Sequence, residues 1–143
     1  MARIGQLHGT YDFNKVDIIF GTRSLSGFEN GTAVTAERTE QSFSKKVDID
    51  GSVTRARSND KTGTVTFSLA QFSEDNAYLQ SILNLDERTG AGVLPLKIVD
   101  KGNPNNELVV SLETWIQKPA SRTFEMESGA REWVLDCADL DFV

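Results

Sequence analysis

"KTGTVTFSLAQF", residues 61–72, runs without a break into "SEDNAYLQSILNL", residues 73–85. In the first segment Val65, Phe67 and Leu69 alternate with Thr64, Thr66 and Ser68. That two-residue period is the mark of an antiparallel strand buried on one face and wet on the other. In the second segment the period changes. Tyr78, Leu79, Ile82 and Leu83 recur at helical spacing and form one apolar stripe. Ser73 is a capping residue, Glu74 and Asp75 suit the positive end of a helix dipole, and Arg88 and Gly90 are stop signals. A helix over about residues 74–86 is predicted, packed on a sheet.

Toward the N-terminus the texture is β. "VDIIFG" (16–21) reads as the first strand. "SLSGF" and "TAVTA" flank Asn30-Gly31, whose tolerance of positive φ signals a two-residue hairpin. Toward the C-terminus "VLPLKIV" starts another strand, and "DKGNPNN" is a solvent loop. "ELVVSLETWI" places Leu108, Val110, Leu112 and Ile116 on one face, with Trp115 on the opposite parity. "RTFEME", a Ser128-Gly129 turn and "AREWVLDC" suggest a last hairpin with Trp133, Leu135 and Cys137 in register. The expected architecture is one mainly β domain over residues 1–143, an antiparallel sandwich or barrel with one inserted helix.

Between these parts lies "SFSKKVDIDGSVTRARSND", a long extended hairpin arm over about residues 42–60. Phe43, Val47 and Ile49 share one parity; Ser44, Lys46, Asp48 and Asp50 share the other. A three-residue loop of Asp50-Gly51-Ser52 would set Ile49 opposite Val53, Val47 opposite Arg55 and Lys45 opposite Arg57. Like charges face to face destabilise a hairpin, so something outside the arm is expected to offset them. Long unpaired edges are also an aggregation hazard unless another copy covers them. Lys45, Lys46, Arg55 and Arg57 are thus expected to find acidic partners on a neighbouring copy. Asp50 at the tip and a half-exposed Trp115 are further interface candidates.

The 143 residues carry a net charge of −6. An acidic chain gains nothing from counterion release at phosphates, which argues against nucleic-acid affinity. One cysteine excludes an internal disulfide. The N-terminal stretch lacks the apolar core of a secretory signal, and no run is long enough to span a bilayer, so folding in a reducing cytosol and no membrane insertion are expected.

Catalytic chemistry finds little support. His8 is the one histidine and lies in an N-terminal extension. Cys137 alternates with Trp133 and Leu135 and reads as a small buried hydrophobe. A calcium loop through Asp48 and Asp50 would place Lys46 and Arg57 at positions that require carboxylates. The pairs Glu125/Glu127 and Asp139/Asp141 suit a solvated face. No phosphate loop or metal-ligand cluster is present in the sequence. The expectation is no enzyme activity, no cofactor and no metal.

The order of parts resembles the tail tube proteins of tailed bacteriophages, in particular those with contractile tails. A short N-terminal arm leads to "VDIIFG", then a Gly-turn hairpin, the arm "SFSKKVDIDGSVTRARSND", the strand "KTGTVTFSLAQF", the helix "SEDNAYLQSILNL" and two β pairs ending in "WVLDCADLDFV". The resemblance covers nearly the whole chain and implies the fold shared with type VI secretion inner tubes. It further implies stacked hexameric rings around a bore through which DNA passes without specific binding. Ser44, Lys46, Asp48, Thr54, Thr64, Thr66 and Ser68 would be lumen-facing candidates. Lys45, Arg55, Arg57, Asp50 and Trp115 would lie at subunit interfaces. Phe43, Val47, Ile49, Val65, Phe67 and Leu69 would face the core. Sheath, tape-measure and baseplate proteins are the implied partners, and the virion, assembled in the bacterial host cytoplasm, is the implied location. The alternatives are a ring-forming tail terminator or tube initiator, and a monomeric β-sandwich that binds carbohydrate through Trp115.

Overall fold

The computed structural model describes residues 7, 9–29, 31, 34–103 and 107–143. The alternating segment forms β6 (Gly63–Ala70), with Val65, Phe67 and Leu69 fully buried and Thr64, Thr66 and Ser68 half-buried on the opposite face. It pairs antiparallel along its whole length with β9 (Ala130–Cys137), Phe67 opposite Trp133 and Val65 opposite Leu135. The other flank of β6 takes β3 (Thr35–Arg38).

The sheet continues from β9 to β8 (Leu108–Ile116), then β7 (Leu94–Asp100), β1 (Val16–Phe20) and the short β2 (Arg23–Ser24). A two-residue strand, β10 (Asp141–Phe142), pairs with the start of β8. Inward residues of β1, β6, β7 and β9 meet in one apolar cluster that includes Ile18, Phe20, Leu96, Trp133 and Leu135. A sheet can bring one face to a common centre only by curling, which its natural twist permits.

The helix, α1 (Asp75–Thr89), ends at Gly90 in a left-handed conformation, three residues beyond the expected limit. Leu79 and Leu83 are buried, and Tyr78 and Ile82 pack against the same cluster. Three polar ties fix it to the sheet. The Tyr78 hydroxyl donates to Phe20 O (2.9 Å), and Trp133 Nε1 donates to Asn76 Oδ1 (3.0 Å). The Asp75 carboxylate accepts from Ser26 N (2.6 Å) and pairs with Arg23 Nε (2.5 Å). Asp75 is therefore not a solvent-facing dipole partner: it is 2% exposed and holds the β2 loop onto the helix.

Four expectations are corrected. Leu112 does not share a face with Ile116. Leu96 pairs with Ser111 and Leu94 with Thr114, so β8 holds one residue more than β7 across this interval. The bulge reverses the phase: Ser111, Thr114 and Ile116 are buried while Leu112 is 75% exposed. "RTFEME" forms no strand, and Phe124 and Met126 are exposed; β9 finds its partners in β6 and β8 instead. "SLSGF" and "TAVTA" do not pair with each other: Phe28 bridges Leu69 and Thr35 pairs with Thr66, so both lie along the same edge of β6. Asn30, Thr32 and Ala33 lie outside the described residues, as does His8.

The fourth correction concerns the arm. It is a separate two-stranded ribbon of β4 (Phe43–Val47) and β5 (Val53–Arg57), and every strand residue is exposed. Phe43, Val47 and Ile49 therefore do not enter the core.

At β1, Asp17 pairs with Lys101 Nζ at 2.6 Å and accepts from Ser24 Oγ. The Lys101 hydrogen bond, with help from Ser24, holds the Asp17 carboxyl below its ordinary value despite some desolvation. A depressed folded-state pKa stabilises the protein above the unfolded value, and the contribution is lost as pH falls through the folded one. Asp17→Asn should thus cost about 0.5 kcal/mol at neutral pH. The gap to wild type should close on acidification below the ordinary carboxylate value of 3.8, as checked by urea melts across pH. A gap that persists in acid would place the effect elsewhere.

Candidate functional site

Two surfaces stand out. The first is the outward face of the four adjacent strands β3, β6, β9 and β8. Thr35 faces Thr66, which faces Val134; Glu37 faces Thr64, which faces Asp136; Asp136 in turn faces Trp115; and Ser68 faces Glu132. Gln117, just past β8, reaches Asp136 Oδ2 (3.4 Å) and donates its backbone N–H to Val134 O (3.0 Å). This face combines hydroxyls, an amide and the carboxylates of Glu37, Glu132 and Asp136 with the half-buried side chains of Val134 and Trp115. Its strand residues include no lysine or arginine; Lys118 sits beyond the end of β8. Such a surface can hydrogen-bond water across its width while presenting a negative field.

Thr64, Thr66 and Ser68 occupy the middle of this face, and Trp115 lies half-buried at its β8 side. Glu37, Glu132 and Asp136 were not singled out from the sequence. Their signal was available in "AREWVLDC": if Trp133, Leu135 and Cys137 point inward, Glu132 and Asp136 point outward.

The second surface is the ribbon. Its register is Phe43 opposite Arg57, Lys45 opposite Arg55, and Val47 opposite Val53. The loop is Ile49-Asp50-Gly51, one residue earlier than expected. Gly51 N donates to Asp48 O, Asp48 N to Ser52 O, and Gly51 takes φ +90°, a value that strains any residue with a Cβ. Asp50 Oδ1 accepts from Ser52 N (2.9 Å), and that bond lowers the Asp50 pKa. The acid thus serves the turn. The like-charge contact persists in altered form, between Lys45 and Arg55.

Phe43, Lys45, Val47, Val53, Arg55 and Arg57 share one face of the ribbon; Ser44, Lys46, Thr54 and Ala56 share the other. Arg55 lies over the Phe43 ring at 4.2 Å and Arg57 at 5.8 Å, which shields part of an exposed aromatic. None of Lys45, Lys46, Arg55 and Arg57 has an ion-pair partner among the described residues. Ser44, Lys46, Asp48 and Thr54 stand on the ribbon, so they do not share a sheet with Thr64, Thr66 and Ser68.

Cys137 is buried, accepts from Thr114 Oγ1 (3.5 Å), and burial pushes its thiol pKa up. No His/Cys/Asp/Glu group among the described residues could hold a metal ion, and none of the described helices is long and apolar enough to cross a membrane.

The described residues thus present an exposed ribbon with four cations lacking an ion-pair partner and, on the main sheet, a face with three carboxylates. Residues 9–143 match the bacteriophage PhiTE tail tube protein family. The chain belongs to that family. This tail tube family member is also similar to the structural protein ORF10 of Pseudomonas phage KPP10, with 27% identity over 93% of this chain and 80% of that one. Among solved structures it is similar to a chain of the sheath–tube complex of the PVC extracellular contractile injection system in its extended state. The TM-score is 0.68 at 10% identity, covering 96% of this chain and 93% of that one. The tube-terminating cap of the anti-feeding prophage gives a TM-score of 0.66 at 11% identity, covering 96% and 93%. At those identities the likeness is one of fold. The tail tube family member is a structural component of a phage tail, mainly antiparallel β with a single α-helix among the described residues.

Proposed function

We propose that copies of this chain close into hexameric rings that stack into the inner tube of a contractile tail, with the outward face of β3, β6, β9 and β8 turned to the bore. DNA passes through without specific binding. The observation that carries this reading is the composition of that face: hydroxyls and three carboxylates around Val134 and Trp115, with no cation at its outward strand positions. Phosphates bind where cations release counterions, so a face without cations offers them no hold. Thr64, Thr66 and Ser68 line the channel. Lys45, Arg55, Arg57 and Asp50 on the ribbon, and Trp115 near the end of β8, meet neighbouring subunits. The chain performs no covalent chemistry. Its further partners are the sheath, tape-measure and baseplate proteins, met during assembly in the host cytoplasm.

Electron microscopy of the concentrated protein tests this: long hollow tubes with sixfold rings are expected. A particle that stays monomeric at every concentration would end the reading. A tube terminator is the second reading, favoured by the likeness of fold to a terminating cap. It predicts isolated rings that never stack. The bore assignment has its own test. Tubes carrying Thr66→Lys with Glu132→Lys should retain duplex DNA at low salt, where wild-type tubes do not. Retention should fall steeply as salt rises. Equal retention by both would move the bore to another face.

A further inference from the structure

We propose that the basic face of the ribbon docks in one particular groove of a neighbouring copy, the apolar mouth formed by Tyr11, Phe13, Val34, Ile98, Val109 and Phe142. This rests on the reading of the chain as a self-assembling subunit and identifies the receiving site.

The groove has a volume of about 670 Å³ and opens where β3, β10 and the starts of β1 and β8 approach one another. Tyr11 and Phe142 are more than half exposed there, and apart from Glu107 the rest of the wall is apolar. Among the described residues, Glu107 is its one charged side chain, and no lysine or arginine lines it. Arg38 approaches the Phe142 ring but is already engaged by Asp141 and by Leu140 O.

The ribbon is its complement. One face alternates Phe43, Val47 and Val53 with Lys45, Arg55 and Arg57. A lone two-stranded ribbon is marginal in water, and this one also holds Lys45 against Arg55. Both defects are relieved by a surface that buries the apolar side chains and offers a carboxylate. The ribbon does not lie on its own body, since all ten of its strand residues are exposed. The occupant of the groove is therefore a ribbon from another copy, in a heterologous contact that repeats around a ring or between rings.

Charge decides between this groove and its rival. The groove beside α1 has about 510 Å³ and is also apolar, lined in part by Phe72, Phe124 and Trp133. It carries Arg122 and Arg131 and no carboxylate, so it would repel a face bearing three cations. The groove near Gly27 offers Glu29 as well as Asp17, which is held by Lys101, but Asn14, Ser24, Ser26 and two glycines interrupt its wall and leave less apolar surface for Phe43, Val47 and Val53. The groove beside Pro119 contains Lys118 as well as Glu132, and most of its lining is polar.

Disulfide trapping in assembled protein tests the assignment. The double variant Val53→Cys/Phe142→Cys should give covalent dimers and higher ladders under oxidation, whereas Val53→Cys/Ser81→Cys, aimed at the groove beside α1, should give none. Cys137 is buried and does not compete. A charge pair gives an independent reading on exposed positions that do not threaten folding. Glu107→Lys or Arg55→Glu alone should raise the concentration needed for assembly about tenfold, and the two together should bring it back toward wild type. Tubes that form with no ladder at Phe142, a ladder at Ser81, or no rescue by the paired reversal would overturn the docking site while leaving the tube reading intact. A wild-type protein that never assembles would overturn both.

Discussion

Removal of the ribbon should abolish assembly while leaving the subunit folded. The change is to excise residues 44–56 and join Phe43 to Arg57 through an Asn-Gly dipeptide, a turn that suits two paired strands. Phe43 and Arg57 already face each other, and Ser58 N donates to Ser42 O at 2.8 Å just below them, so the ends meet without strain. None of the excised residues belongs to the apolar cluster, and β4 and β5 pair only with each other. The melting temperature of the dispersed protein should therefore move by no more than about 2–3 °C, the effect of a change well under 1 kcal/mol. Sedimentation should show only monomer at concentrations at least about a hundredfold above those at which wild type assembles, the loss of more than about 2.7 kcal/mol of contact free energy. Tubes formed by the shortened protein would show that the exposed edges of the main sheet suffice. A collapsed melting temperature would show that the ribbon supports the body.

The second large effect is expected at Asp75. Asp75→Ala removes the acceptor for Ser26 N, an ion-pair partner of Arg23, and a carboxylate at the first turn of α1, all in a place that water barely reaches. Breaking a buried pair by removing one member costs about 3–5 kcal/mol. The Arg23 side chain is 42% exposed and can regain water, so the lower end applies, about 3 kcal/mol. For a chain of this size that is a drop of roughly 10 °C in melting temperature. It should be measured below the assembly concentration, because association stabilises by mass action. Arg23→Ala should also destabilise, since it leaves the carboxylate with Ser26 alone. The double variant should cost clearly less than the sum of the two, the mark of residues acting as a pair. Strict additivity, or a loss under 1 kcal/mol, would mean the helix is held by its apolar stripe and the Tyr78 and Trp133 hydrogen bonds instead.

Where each side chain answers to one neighbour at a time, the sequence can be read directly. Val65, Phe67 and Leu69, like Trp133, Leu135 and Cys137, alternate on strands whose one face is core, and their burial follows from parity alone. The stripe from Tyr78 to Leu83 is legible for the same reason. The misses occur where a distant partner decides. The phase change in β8 exists because β7 is one residue shorter across the same span, which no local pattern in "ELVVSLETWI" reveals. Asp75 looks like a first-turn acid until Arg23 and Ser26, about fifty residues earlier, arrive beside it. "RTFEME" alternates well enough for a strand, yet both flanks of β9 are already occupied by β6 and β8. The ribbon parity was correct, while its register depended on whether Gly51 ends or centres the turn. Of the candidate site, Thr64, Thr66 and Ser68 were visible as the wet face of β6. The carboxylates that join them needed the strand order β3–β6–β9–β8, a fact of topology.

The bulge in β8 also fixes how this chain can change length. A deletion on either side of it, within Leu108–Ser111 or Thr114–Ile116, would rotate part of the strand and break the match between its buried residues and the core, whereas a deletion between Ser111 and Thr114 would only remove the extra residue and leave both facing inward. The same deletion in the ribbon would disturb a structure that touches no core, and matched additions on both of its strands would simply lengthen it. Insertions and deletions should therefore accumulate in related chains at the ribbon tip, in pairs, and be purged from β8 on either side of the bulge.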